Sequence, residues 1–165
     1  MQGSTQKFAT PQSFSVMQDK TAFYTHLNSV YSSVPRADII IVMGDLNAQV
    51  GADNYGLERV TIKNGFWSRN ENGDMLVDFC NENLLVIGGT VFKHKTCNKV
   101  TWVHPDGHTE NQIDHIMIQQ RWRKSMCDVR NIRNGCPESQ IKNSGCIKAI
   151  AECRKKSKIQ YECFK

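Results

Sequence analysis

The first regular pattern along the chain is helical. Asp19, a residue type that often caps helices, is followed by apolar residues spaced three and four positions apart: Phe23, Leu27, Val30 and Tyr31. This spacing places them on one face, and we predict a helix from about Lys20 to Tyr31. A second helical pattern follows a loop-like segment over 64–73; it begins at Asp74 and continues through Leu76, Phe79, Cys80 and Leu84.

Two short apolar runs favour β-strands instead. Ile39 to Met43 is wholly apolar and mostly β-branched, which predicts a strand buried on both faces of a sheet. Leu84 to Ile87 is the second run, and the two glycines that follow it end the strand.

The segment KVTWVHPDGHTENQIDHIMI, residues 99–118, predicts a hairpin. Its turn is Pro105-Asp106-Gly107, in which glycine supplies a positive φ angle. Alternation in the second strand places side chains on two faces. One face carries Asp114, Ile116 and Ile118, and the other carries Ile113, His115 and Met117. A carboxylate therefore lies on an otherwise apolar face.

The order helix, strand, helix, strand, hairpin predicts an α/β layered fold. The 165 residues fit one domain, and 39% hydrophobic with 22% charged residues is typical of a globular protein. We predict a loose lead-in over residues 1–17. Beyond about Arg130 the periodicity is lost, and Cys146 to Phe164 predicts at most a weakly amphipathic basic helix.

The formal charge of +5 is concentrated near the end of the chain. Residues 141–165 carry seven Lys and Arg against two Glu, whereas residues 1–140 carry fourteen charges of each sign. A basic segment can attract nucleic-acid phosphates, although such runs are more often simply solvated. The apolar runs are too short to span a bilayer, and the start of the chain has no export signal. We therefore expect an intracellular protein, nuclear or cytoplasmic, that is not secreted and has no membrane partner.

The seven cysteines are odd in number, and we predict that they are reduced thiols. Cys97, His104 and His108 are conceivable metal ligands. Their spacing across a Pro-Gly turn is poor geometry for a metal site, so this cluster is a minor alternative.

Asp45 and Asn47 are the first candidates for chemistry, because they directly follow a predicted buried strand. A rigidly held Asp45 could deprotonate a water or hold a divalent cation, and Asn47 could bond a phosphate oxygen. The alternative is an Asx turn, in which both side chains only satisfy backbone amides.

Asp114 is the next candidate, since a carboxylate on an apolar face needs a partner. The partner could be a histidine that it orients, or Arg121 or Arg123 in a salt bridge. His115 points to the opposite face, and we predict that it is a half-buried packing residue. Trp102, beside Thr101, could stack on a base or sugar or belong to the core.

Four stretches together resemble the endonuclease/exonuclease/phosphatase superfamily. They are IIIVMGDLNAQVG from Ile39, RNENGDMLVDFCNENLLVI from Arg69, the pair Thr101-Trp102, and NQIDHIMIQQRW from Asn111. Within the superfamily they look most like the endonuclease domain of non-LTR retrotransposons and the retrotransposon-derived family of craniofacial development protein 2. The resemblance covers residues 18–130, which leaves 131–165 as a divergent basic tail.

The resemblance implies a DNase I-like two-sheet α/β sandwich that hydrolyses DNA phosphodiesters with Mg²⁺. By this resemblance, Asp45 matches the residue that positions or deprotonates the attacking water, and Asn47 matches a residue that contacts the scissile phosphate or the metal. Asp114 matches the aspartate that orients a catalytic histidine. Thr101 and Trp102 match the segment near the DNA-binding surface. The resemblance favours a catalytic interpretation of Asp45, Asn47 and Asp114.

Two parts of the family pattern are missing from this sequence. No Glu precedes Asp45, where the family has a metal ligand, and no His follows His115, where the family closes with Ser-Asp-His. We therefore predict a partial sandwich that lacks its N-terminal portion and its final catalytic strand and loop. Because the metal loses an anchor and the transition state loses a donor, we predict that this chain is inactive by itself.

Three further expectations follow from that partial fold. The apolar strand from Ile39 would be left with an exposed edge that favours self-association. A non-enzymatic protein that binds nucleic acid or protein through its sheet or its basic tail is the alternative function. A truncated or misjoined version of an intact enzyme is the third possibility.

Overall fold

The computed structural model describes residues 17–53, 55–62, 64–65, 68–132, 146–152 and 158–163. The helices in this part are α1 (Met17–Ser33) and α2 (Glu71–Glu82). The strands are β1 (Ile41–Asp45), β2 (Leu85–Ile87), β3 (Trp102–Val103), β4 (Glu110–Asn111), β5 (Asp114–Gln119), β6 (Met126–Ile132), β7 (Cys146–Glu152) and β8 (Lys158–Cys163). Short 3₁₀ helices cover Gly88–Thr90, Thr96–Asn98 and Gln120–Ser125. The mixed α/β class is confirmed; the domain limits stay predictions, and the lead-in over 1–16 lies outside the described residues.

The central sheet has the strand order β1-β5-β2, and both pairings are antiparallel. β5 lies in the middle, and all six of its residues are buried. Its alternating side chains separate two apolar clusters, as the sequence predicts. Met117 packs with residues of α1 and α2 on one face, and Ile116 and Ile118 pack with Met126 and Val129 of β6 on the other.

β6 belongs to a second antiparallel sheet, with the order β6-β7-β8. The predicted helix over Cys146 to Phe164 is therefore wrong, because β7 and β8 cover most of this range. The physical reason is visible in the sequence of β8, where Ile159, Tyr161 and Cys163 alternate with polar residues. This period of two suits a strand, and β7 gains a ladder on each side.

β1 differs from the strand predicted over Ile39 to Met43. The ladder with β5 begins at the pair Ile41 and Ile118, because the backbone N–H of Ile40 donates to the side chain of Gln119 instead (3.2 Å). All five residues of β1 are only partly buried. Both faces of β1 are covered as predicted, since Val42 packs against one apolar cluster and Ile41 and Met43 against the other. The burial is only partial because β5 is the only strand paired with β1 among the described residues, which leaves one edge of β1 open.

Both helices begin earlier than the sequence predicts. α1 starts at Met17, so Asp19 lies in its first turn rather than at the cap, where its charge still complements the helix dipole. α2 starts at Glu71, three positions before Asp74. Gly73 is a close-packing residue inside the helix rather than part of a loop, because a Cβ there would lie 1.9 Å from the carbonyl oxygen of Gln49.

The predicted hairpin is confirmed in part. β3 pairs with β4 across a turn in which Gly107 has φ +75°. The second arm does not continue as one strand, because Asp114–Gln119 leaves the hairpin and enters the central sheet as β5. The chain from Thr101 to Gln119 therefore belongs to two sheets.

Cys80, Cys97 and Cys127 carry free thiols, as expected for the cysteines whose side chains are described. Burial raises the pKa of the Cys80 thiol. None of the helices in the described ranges has the length and apolar character that crossing a bilayer demands.

Candidate functional site

Asp45 and Asp114 lie directly opposite each other at the end of the β1–β5 ladder. Directly opposed residues of an antiparallel pair share a face, with Cβ atoms about 4.5–5.5 Å apart. Asp114 is 3% exposed, whereas Asp45 is half-buried. The structure therefore brings together two carboxylates that are far apart in the sequence.

Asn47 lies in the loop that leaves β1. Its backbone N–H donates to Asp45 Oδ1 (3.1 Å), so the Asx turn considered from the sequence is present. The residue has φ +47°, a left-handed conformation that asparagine tolerates better than most residues. Its carbonyl accepts hydrogen bonds from Asn70 Nδ2 and Asn72 Nδ2, both at 3.1 Å. The loop after β1 is thus held by Asp45 at its start and by the side chains of Asn70 and Asn72 near the start of α2.

Asn70 is a residue that sequence reasoning missed. Its Oδ1 accepts from the backbone N–H groups of Gly73 (2.8 Å) and Gln49 (2.9 Å). One side chain therefore caps α2 and holds the loop after Asp45. The pattern that could have identified it is an asparagine directly before an acidic first turn.

His115 is more than a half-buried packing residue, which corrects the prediction. Its side chain is fully buried, and Nε2 lies 2.7 Å from the carbonyl oxygen of Ala48, so that nitrogen is the donor. Burial lowers the pKa of His115, although the Ala48 carbonyl and the charge of Asp114 act in the opposite direction. A neutral imidazole therefore supports the loop from the face opposite to Asp114.

Gly44, directly before Asp45, pairs with His115 across the ladder. A Cβ at Gly44 would meet nothing within 4 Å. Close packing is therefore not the reason for this glycine in the described structure.

The proposed salt bridge from Asp114 to Arg121 or Arg123 is wrong. Both arginines follow the far end of β5, about 17 Å from Asp114 at the rise of an extended strand. Arg121 instead donates to the carbonyl oxygens of Arg36 and Asp38, close to the start of β1.

Thr101 is buried beside Asp114. Its Oγ1 accepts hydrogen bonds from the backbone N–H groups of Ile113 (3.0 Å) and Asp114 (3.2 Å). Trp102 is half-buried, and its ring packs edge-on against His104 at a centroid distance of 5.6 Å. Of the two residues predicted to lie near DNA, Trp102 is the one with accessible surface.

The donor set does not fit a resident metal ion. Mg²⁺ prefers about six oxygen ligands, usually one or two carboxylates with waters and substrate oxygens. The described residues contain no group of three or more His, Cys, Asp or Glu that could hold a metal. Asp45 and Asn47 are joined to each other through the Asx turn, and His104 Nδ1 pairs with Asp106 (2.9 Å). The ligands among the described residues are therefore too few to hold a metal ion for catalysis.

Comparison with known proteins gives a partial similarity. The chain is 38% identical over 104 residues to craniofacial development protein 2 of Tragulus javanicus, and 38% identical over 104 residues to that of Bos taurus. Each match covers 63% of this chain, but only 18% and 17% of the two relatives. No family model matches the chain, and no solved structure gives a significant match. The similarity to craniofacial development protein 2 that the motifs predict is confirmed over this part of the chain.

Proposed function

We propose that this chain carries the central part of a DNase I-like endonuclease domain of the endonuclease/exonuclease/phosphatase superfamily, and that it does not cleave DNA by itself. The observation that carries the proposal is the pairing of Asp45 with Asp114 at one end of the central sheet. The packing of β6 over one face of that sheet and the similarity to craniofacial development protein 2 support the same conclusion.

The proposed roles of the site residues follow the motifs. Asp45 would activate the attacking water, Asn47 would contact the scissile phosphate, and Asp114 would orient a histidine. Mg²⁺ is the cofactor that the resemblance implies for the intact domain, and we propose that this chain does not hold the ion by itself. We propose no cleavage because the described ligands are too few and no histidine follows His115 to serve Asp114. DNA is the proposed partner, and the nucleus or cytoplasm the proposed location.

A plasmid-nicking assay tests this proposal. Purified chain is incubated with supercoiled DNA in Mg²⁺ or in EDTA, beside Asp45→Ala and Asp114→Ala. We expect the three proteins to give the same background nicking, because the site is incomplete. Mg²⁺-dependent nicking that Asp45→Ala abolishes would show that further ligands and a proton donor exist, and the proposed inactivity would be wrong.

A second candidate function is non-enzymatic binding of nucleic acid through the basic segment. The supporting observation is that residues 141–165 hold the whole excess of positive charge. Because β7 pairs with β6 and β8 pairs with β7 in one sheet, substitution tests this candidate better than deletion.

Arg154, Lys155 and Lys156 are replaced together by Gln, and duplex binding is followed by fluorescence anisotropy over a range of salt concentrations. If these residues contact phosphates, the slope of log affinity against log salt falls by up to about 3. A matched variant replaces three exposed lysines elsewhere, Lys93, Lys95 and Lys124, and should leave the slope nearly unchanged. Equal losses in both variants, or no binding at low salt, would contradict this candidate.

A further inference from the structure

A narrow polar cavity of about 10 Å³ lies between the two sheets, at the end where Asp114 begins β5. Its walls come from β5, from β6 and from the segment around Thr101. The polar side chains that line it include Lys99, Thr101, Gln112, Asp114 and Asn131. Each of these residues is at least nine-tenths buried. Such a concentration of buried polar groups is unusual inside a protein, because each group loses its hydration on folding.

Asn131 is the residue that points to a ligand. It is 2% exposed, and its Nδ2 donates to the carbonyl oxygen of Val100. Its Oδ1 is buried and has no hydrogen-bond partner among the described residues. A buried amide oxygen without a partner is costly, and native structures usually satisfy it with protein or with ordered water.

The size and charge of the cavity restrict what can bind there. A site for one water needs about 10–15 Å³ and two to four polar partners, and this cavity meets both conditions. A phosphate group or a hydrated Mg²⁺ ion is too large. Lys99 and Arg130 line the cavity together with Asp114, so positive charges already exceed negative ones there, and Lys99 Nζ donates to the carbonyl oxygen of Asn64. A neutral water is therefore favoured over a sodium or potassium ion.

We propose that this cavity binds one ordered water molecule, which donates a hydrogen bond to Asn131 Oδ1 and joins β6 to the Asp114 end of β5. The water would link the two sheets at the polar cavity, next to the apolar cluster of Ile116, Met126 and Val129. Residues 131–165, which the sequence predicts to be a divergent basic tail, would then be coupled through β6 to the site formed by Asp45 and Asp114. This inference is independent of the proposed nuclease function, because it rests only on the cavity and on Asn131.

Two measurements on the full chain test the proposal. A high-resolution crystal structure should show one density peak within about 3.2 Å of Asn131 Oδ1. In solution, ¹⁵N-labelled protein should show cross-relaxation peaks between water and two groups, the side-chain amide of Asn131 and the backbone amide of Gly89. The sign of these peaks should be that of a bound water that tumbles with the protein. A dry cavity in both measurements would overturn the proposal. Ligand distances near 2.4 Å, with shifts that depend on sodium or potassium, would overturn it in favour of a cation.

Variants identify the acceptor. Asn131→Asp, measured at a pH where its carboxyl is protonated, keeps an oxygen acceptor and an O–H donor for the Val100 carbonyl, and it should keep the cross-peak at Gly89. Asn131→Leu removes the acceptor and should abolish the cross-peak. Asn81→Asp, on the exposed surface of α2, is the matched control and should behave as wild type. If Asn131→Leu does not fold, the wild type and Asn131→Asp still decide the question. Loss of the peak in Asn131→Asp with retention in Asn131→Leu would contradict the assigned acceptor.

Discussion

The Oγ1 atom of Thr101 accepts a hydrogen bond from the backbone N–H of Asp114 at 3.2 Å, and a second one from the neighbouring amide of Ile113. The hydroxyl joins the segment before β3 to the first residue of β5. The position of Asp114 therefore depends on a side chain that lies outside the central sheet.

Replacing Thr101 tests this connection. Thr101→Val leaves two buried N–H groups without an acceptor, and we expect the free energy of unfolding to fall by about 2 kcal/mol, within the range of about 1–3 kcal/mol for such groups. Thr101→Ser keeps the acceptor and should lose about 0.8 kcal/mol for the missing methyl. Urea denaturation gives both values, and amide exchange at Ile113 and Asp114 should accelerate in the valine variant alone. Equal stability of Thr101→Val and wild type would contradict the prediction.

Asn70 provides a second prediction, because it joins the N-terminus of α2 to the loop after Asp45. Asn70→Ala removes an N-cap, which typically costs about 0.5–2 kcal/mol, and also removes two hydrogen bonds to the loop. We expect a total loss of about 2 kcal/mol or more in the free energy of unfolding. Asn72→Ala is the matched control, since it removes one bond to the same Asn47 carbonyl. The prediction is wrong if thermal or urea unfolding shows equal losses in the two variants.

His115 should make stability depend on pH. Burial lowers its pKa in the folded chain, whereas in the unfolded chain the pKa is about 6.5. Below that pH the unfolded state takes up a proton that the folded state does not, so the free energy of unfolding decreases on acidification. It reaches its full value above about pH 6.5, and the slope approaches about 1.4 kcal/mol per pH unit below it.

Urea denaturation between pH 7.5 and 5 measures this slope. His115→Gln can still donate to the Ala48 carbonyl but does not titrate, so its stability should change less with pH. His108→Gln, an exposed residue of the hairpin turn, should retain the wild-type slope. A wild-type slope that persists in His115→Gln would assign the pH dependence to another group.

The edge of β1 should promote self-association, as the sequence suggested. Ile39, just before β1, is 38% exposed, and apolar edge strands pair with other chains unless a charge blocks them. We expect concentration-dependent association of the wild type in sedimentation velocity, and a clear reduction in Ile39→Lys. Tyr55→Lys is the control, because Tyr55 is 92% exposed but lies in a loop. If both lysine variants reduce association equally, general solubility rather than the edge is responsible.

Local patterns determined most of the elements. The helical spacing around Leu27 and Leu76, the apolar run before Asp45 and the Pro-Asp-Gly turn each predict an element that the structure contains. These predictions succeed because periodicity and turn chemistry act between residues close in sequence. Their ends were less accurate. The start of α2 was missed although its cap, from Asn70 to Gly73, is local, whereas the start of β1 depends on Gln119, which is distant in the sequence.

The strands β7 and β8 were missed for a related reason. A short period-two pattern in a basic segment is weak by itself, and the segment becomes a sheet only when β6 supplies a partner for β7. Pairing energy is a property of the ladder, so a single strand does not reveal it.

The sequence by itself determined the residue types of the site: Asp45 and Asn47 after an apolar run, and Asp114 on an apolar strand face. Only the tertiary structure decided that Asp45 and Asp114 are neighbours. It also decided that the Thr101 hydroxyl accepts a hydrogen bond from the backbone N–H of Asp114. On the opposite face, His115 donates to the Ala48 carbonyl in the loop after β1. Composition and spacing fix which chemical groups a chain carries. Strand register fixes which groups meet, because it depends on contacts between segments that are distant in sequence.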